Sequence, residues 1–196
     1  TYVNSNFFAV GSQGIVLKSS DGTSWSSVST AASDSDNSSN PGFSSSNQLN
    51  DISYGSSTYV IVGSNFSGSA GSIYTSSDGT TWTLRSSGTT NTLNGITFGN
   101  SNFFAVGAGI ILKSSDGTTW STVTTTASDN DNSSTDGGFK STQSFNDISY
   151  GSSTYVMVGS NYSGSAGSIY TSSDGTTWTL RTSGTSNTLY GVTYIE

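Results

Sequence analysis

The sequence predicts an all-β fold: a β-propeller of four-stranded antiparallel blades, four blades per chain, with the ring closed by the C-terminal strand. Three observations lead there. The stretch S-S-D-G, followed by two small hydroxyl residues and Trp, occurs four times, at residues 19–25, 76–82, 114–120 and 172–178, and holds all four tryptophans. The segment that starts at Asn50 (NDISYGSSTYVIVGSN) returns at Asn146 almost letter for letter, an offset of 96, and SNFFAVG at Ser5 returns at Ser101. Short runs of Val, Ile, Tyr, Phe and Thr, bounded by Gly, Ser, Asn and Asp, fill the units, and no segment shows a helical period.

Each unit follows one plan. Its first strand reads LNDISYG, LNGITFG, FNDISYG or LYGVTY, its second FFAVG, TYVIVG or TYVMVG, and its third GIVLKSS, IILKSS or SIYTSS. The seven-residue stretch comes next, and its Trp opens the fourth strand, as in TWTLRSS. Four strands per unit in tandem are the sequence mark of propeller blades. The 196 residues then form one domain of two 96-residue repeats, with blades at about 1–30 plus 189–196, 49–88, 93–126 and 145–186. Residues 1–4 (TYVN) align with residues 97–100, so the first unit lacks most of its own first strand, and LYGVTYIE at the C-terminus supplies a spare. A ring fastened by that strand exposes no edge.

The repeated stretch reads as a turn between strands three and four. Asp accepts backbone N–H groups within the turn, Ser adds another acceptor, and Gly takes up a positive φ. The Trp three residues on is expected to point inward and fill the gap between blades. Asp21, Trp25, Asp78, Trp82, Asp116, Trp120, Asp174 and Trp178 are therefore assigned to architecture, because one catalytic site copied into every blade would be unusual.

S-x-D-G-x-x-W resembles the Asp-box of BNR-type repeats, in a variant one residue shorter than the common S-x-D-x-G-x-x-W. The resemblance spans the whole chain, four times over. Propellers with this motif include sialidases, photosystem II assembly factors and sugar-binding lectins, so it implies the fold and leaves the activity open. The chain resembles the non-catalytic members more than the sialidases. A sialidase would need an arginine cluster and a Tyr/Glu nucleophile pair, whereas this chain has two arginines, Arg85 and Arg181, and one glutamate, Glu196. Both arginines fall on outer strands, where charge is expected to guard an exposed edge. Family members commonly have more than four blades, which leaves two arrangements open: a small ring, or two chains paired into an eight-bladed one.

Composition narrows the function classes. With no His and no Cys, the chain offers no Ser-His-Asp or Cys-His nucleophile, no zinc site of the usual ligands and no disulfide. A net charge of −7 with five basic residues argues against nucleic acid and anionic membrane surfaces as partners. No apolar run is long enough for a membrane helix. A Ser-, Thr-, Gly- and Asn-rich acidic chain starting at Thr1 reads as a mature or excised segment of an extracellular or cell-surface protein.

Candidate sites gather on the face carrying the long loops, since the connections between strands two and three and between blades vary there. Loops on a rigid scaffold are where binding usually resides. Asp34, Asp36 and Asn37, and again Asp129, Asp131 and Asn132, form oxygen-rich D-x-D-N stretches. Calcium is the ion they suit, although neither has the closing glutamate of an EF-hand, and a solvated polar loop is the simpler reading. No cofactor is required. Asp51 and Asp147 begin first strands and are expected to face each other across a central channel, with Asn94 and Tyr190 at the equivalent positions of the other blades. Such a pair suits acid/base work or cation binding, and equally suits bonds to nearby backbone amides. Phe66 and Tyr162, with Phe43 and Phe139, are the loop aromatics; exposed they would stack on sugars, and tucked in they would anchor the loops. Three functions follow: a non-enzymatic adhesion, assembly or scaffolding module with a protein or glycan surface as partner and a capacity to self-associate; a lectin with repeated sites, calcium-assisted or not; and a glycan-cleaving enzyme using Asp51 and Asp147.

Overall fold

The structure, a computed structural model, describes residues 1–28, 32–34, 43, 47–65, 71–128, 139, 143–160 and 167–195. Among them there is no helix, so none is long and apolar enough to cross a membrane. The strands are β1 (Tyr2–Val3), β2 (Asn6–Val10), β3 (Val16–Ser19), β4 (Ser26–Ser27), β5 (Ala32–Asp34), β6 (Gln48–Gly55), β7 (Thr58–Ser64), β8 (Gly71–Ser76) and β9 (Trp82–Arg85). The second half continues with β10 (Leu93–Gly99), β11 (Asn102–Gly107), β12 (Ile110–Ser114), β13 (Ser121–Thr122), β14 (Thr126–Ser128), β15 (Ser144–Gly151), β16 (Thr154–Ser160), β17 (Gly167–Ser172) and β18 (Thr177–Arg181).

Each of the four sheets carries the expected antiparallel four: β1-β2-β3-β4, β6-β7-β8-β9, β10-β11-β12-β13 and β15-β16-β17-β18. Two of them have a fifth strand that the sequence did not suggest. β5 runs parallel to β9, and β14 runs parallel to β18. Both come from the long connection that leaves the preceding blade, so each straps one blade to the outer edge of the next. Arg85 and Arg181 therefore do not guard open edges as expected: their strands are covered, and each guanidinium Nε donates to a neighbouring-strand hydroxyl, Thr75 or Thr171, at 2.9 Å.

Hairpins between first and second strands turn on two left-handed residues, such as Ser56 (φ 47°) with Ser57 (φ 59°) and Ser152 with Ser153. Two consecutive positive φ values define the turn whose twist matches paired strands. The Ser-Ser-Asp-Gly turns lie at this same end of each blade, because Tyr59 pairs with Ser76 while Gly55 pairs with Thr58. The opposite end, where Ser64 pairs with both Gln48 and Gly71, carries the long loops.

Among the described residues, three apolar cores join the four blades. Phe8 and Val16 of the first blade pack with Tyr59, Ile61 and Trp82 of the second. Val60, Val62 and Ile73 of the second meet Phe103, Ala105 and Leu112 of the third. Phe104 and Ile111 of the third meet Tyr155, Met157 and Trp178 of the fourth. A closed four-bladed ring would hold a fourth core between the last blade and the first. The expected fastening is not seen here either: residues 189–195 form no strand of the first sheet and lie instead beside β15, as β10 lies beside β6.

Candidate functional site

The four Ser-Ser-Asp-Gly turns are built alike. In the second, the Ser76 hydroxyl donates to Asp78 Oδ1 and accepts the Gly79 N–H at 2.8 Å, while the same Oδ1 accepts the N–H groups of Thr80 and Thr81. Glycines 22, 79, 117 and 175 all have φ between 74° and 78°. The amides of Ser24, Thr81, Thr119 and Thr177 are the largest cause holding Asp21, Asp78, Asp116 and Asp174 well below the usual carboxylate range. These carboxylates are already spent on backbone, which suits them to shape and not to chemistry.

The tryptophans divide by position. Trp82 and Trp178 are fully buried between blades, and Trp120 is half-buried in the middle core. Trp25 is 43% exposed and fills no gap, contrary to the sequence expectation, because no blade packs on that side of the first sheet. Its indole N–H donates to the Gly22 carbonyl, as that of Trp120 does to Gly117 and that of Trp178 to Gly175.

On the inner wall, β6, β10 and β15 stand side by side, each with a bulge one residue before its Asp or Gly. That bulge places Asn50, Asn94 and Asn146 alike, so the counterparts of Asp51 and Asp147 are Gly95 and Gly191 and not the expected Asn94 and Tyr190. The asparagines reach across joints. Asn50, Asn94 and Asn146 donate to the carbonyls of Leu93, Phe145 and Leu189 at 2.7, 2.8 and 2.7 Å. Tyr190 stands at the end of the row, 79% exposed.

Asp51 and Asp147 have both oxygens engaged. Asp51 accepts the N–H of Ile52 on Oδ1 and that of Ile96, in the next blade, on Oδ2; Asp147 does the same with Ile148 and Val192. Burial pushes the Asp51 carboxyl up to about 7, against the pull of the Ile96 amide and with a smaller push from the Asp147 charge. Burial likewise raises Asp147, against the Val192 and Ile148 amides. Gly95 lies between the two carboxylates; a β-carbon there would come within 2.7 Å of the Asp147 Cα, so only glycine lets the inner strands approach this closely.

Of the loop aromatics, Phe43 packs edge-on against Tyr74 at 4.6 Å, and Phe139 against Phe145 at 4.6 Å and Tyr170 at 5.0 Å. They anchor the loops. Two buried amide–phenol pairs lie beside them and went unread in the sequence: Asn47 donates to the Tyr74 hydroxyl and Gln143 to that of Tyr170. Their only trace is an amide residue at the same place before each first strand. Phe66, Tyr162, Asp36, Asn37, Asp129, Asp131 and Asn132 lie outside the described residues, and Asp34 is described only as part of β5. Among the described residues, no group of three acidic side chains is placed to hold a metal.

No family profile and no curated protein matches the sequence. Solved structures do. The chain aligns with YCF48 bound to D1 peptide at a TM-score of 0.58 and 17% identity, over 98% of this chain and 54% of that one. It aligns with YCF48 from Cyanidioschyzon merolae at a TM-score of 0.60 and 18% identity, over 93% and 56%. The fold is a β-propeller. This propeller chain spans a little over half the length of those it matches.

Proposed function

We propose that this propeller is a non-enzymatic binding and scaffolding module whose working surface is the long-loop face. The observation that carries the reading is the engagement of both oxygens of Asp51 and of Asp147 by backbone amides. A general acid or base needs a free oxygen aimed at substrate, and these two carboxyls pin neighbouring blades instead. A protein segment is the favoured partner: the similar YCF48 structure holds a peptide, and the loops here spring from anchored aromatics on a rigid wall. The Asp-box resemblance, strongest toward non-catalytic members, supports the same reading, and the composition supports an extracellular or cell-surface setting.

Panning a displayed peptide library against the folded chain tests this. Selected peptides should lose binding when residues 129–138 are replaced by a Gly/Ser linker and keep it when the opposite hairpin turns are altered. Turnover of a glycan that disappears in Asp147→Asn would sink the reading and restore the enzyme alternative. Calcium-dependent signal on a glycan array, without peptide binding, would replace it by the lectin alternative.

A further inference from the structure

The first and fourth blades each present an uncovered face, and the two faces are the halves of a joint the molecule already contains. In the joint between blades two and three, Val60, Val62 and Ile73 close against Phe103, Ala105 and Leu112. The repeat puts Val156, Val158 and Ile169 on blade four where the first three stand, and Phe7, Ala9 and Leu17 on blade one where the second three stand. Phe7 is 37% exposed where Phe103 is fully buried, and Val156, Ile169, Ala9 and Leu17 are all partly exposed where their counterparts are buried.

The backbone is matched as well. Residues 189–192 lie against blade four through Asn146–Leu189 and Asp147–Val192 bonds, the counterparts of the Asn50–Leu93 and Asp51–Ile96 bonds that seat β10. β10 also pairs Leu93, Gly95 and Ile96 with Gly107, Val106 and Ala105. On blade one the inner ladder stops at Phe8, so Ala9 and Val10 have no inner strand of their own blade beside them, while the Gly11 carbonyl accepts the Leu49 N–H of β6.

We propose that a second copy of this chain supplies what is missing. Blade four of each copy packs on blade one of the other, and residues 189–192 enter the partner's first sheet as its inner strand, giving a closed eight-bladed ring of two chains. One chain aligns along 54% and 56% of two propellers of this fold, so a single copy spans only part of such a body and leaves room for a second. Among the described residues, the joint it copies is also the one without a strap, since β5 and β14 bridge blades one to two and three to four. Residues 193–196 (TYIE) repeat residues 1–4 (TYVN), so the two ends overlap at the new joint and one of them gives way.

Sedimentation and native mass spectrometry from micromolar to millimolar concentration test the assignment. The expected species is twice the 20.1 kDa chain, with nothing larger. Phe7→Asp and Val156→Asp, both at exposed or half-exposed sites that the single chain tolerates, should each leave folded monomers by circular dichroism and weaken association at least about a hundredfold, because each buries an unpaired carboxylate in the joint. An equimolar mixture of the two variants should regain a two-chain species, since each mixed pair keeps one unaltered joint. A wild-type chain that stays monomeric throughout, or one that grows into an open ladder of masses, overturns the proposal. So does a dimer that Val156→Asp leaves intact.

Discussion

The Asn146 side-chain amide donates to the Leu189 carbonyl at 2.7 Å, and with it a segment outside every sheet is held as firmly as β10 is held by Asn50. This bond, with the Asp147 bond to the Val192 N–H, makes residues 189–195 part of the folded body. Asn146→Ala removes one partly buried donor from the Leu189 carbonyl, at a cost of about 1 kcal/mol. The expected result is an approximately fivefold rise in amide hydrogen exchange confined to residues 189–195, with the first three blades unchanged. Exchange that rises throughout the chain would mean that Asn146 supports the whole fold and not the segment.

The tryptophans should separate by blade. Trp82 is fully buried among Phe43, Tyr59 and Tyr74, so Trp82→Ala is expected to cost about 3–5 kcal/mol. Trp25, at 43% exposed, should cost under about 1 kcal/mol in dilute single chains. Urea denaturation of the two variants reads the difference directly. Equal losses would show that the first blade is covered within one chain.

Stability should peak in mildly acidic solution. The folded Asp51 carboxyl, raised to about 7, is harder to ionise than in the unfolded chain, where 3.8 is ordinary. Its contribution is full below the unfolded value and is given up as pH rises through the folded one. The turn aspartates act in the opposite sense: amides hold them low, so their contribution is present above about 3.8 and is lost as pH falls toward their folded values. Melting temperature is therefore expected to be highest near about pH 4 and to fall from there as pH rises to about 7. Asp51→Asn should flatten the alkaline limb while leaving the acid limb in place. A wild-type profile without change between pH 5 and pH 9 would contradict the raised Asp51 carboxyl.

The hairpin turns hold serine where glycine is better suited. Ser57 and Ser153 both have φ of 59°, a conformation that costs a side chain roughly 1 kcal/mol. Ser57→Gly and Ser153→Gly together are expected to raise the melting temperature by about 2–6 °C in a chain of this size. No rise, or a fall, in a calorimetric scan would show that the turns relax at no cost.

What the sequence disclosed depended on whether one residue type could do one job. Asp, Gly and Trp at fixed spacing left little freedom in the repeated turn, and the Val/Ile/Tyr runs could be nothing but strands. β5 and β14 escaped notice because Ala-Ser-Asp and Thr-Ala-Ser are too short to show a pattern and hold none of the large β-formers, and their parallel partners lie roughly 50 residues away, at Trp82 and Thr177. The counterpart of Asp51 was legible all along: aligned letter for letter, LNDISYG and LNGITFG set Asp51 against Gly95, and the pairing register, with the same bulge at Asn50 and Asn94, agrees. Self-similarity told which residues resemble each other and not which ones touch, so the open side of the first blade could not be read from letters alone.

The parallel straps carry a mechanical consequence. Because β5 lashes blades one and two together and β14 lashes three and four, the blade is not the unit that comes apart. Drawn out by its two ends, such a molecule yields length in two large releases, each spanning one 96-residue repeat, where four small ones would be heard from unlashed sheets. The same coupling matches the length of the repeat: half of those 96 residues, taken alone, would part the lashing from the strand it grips.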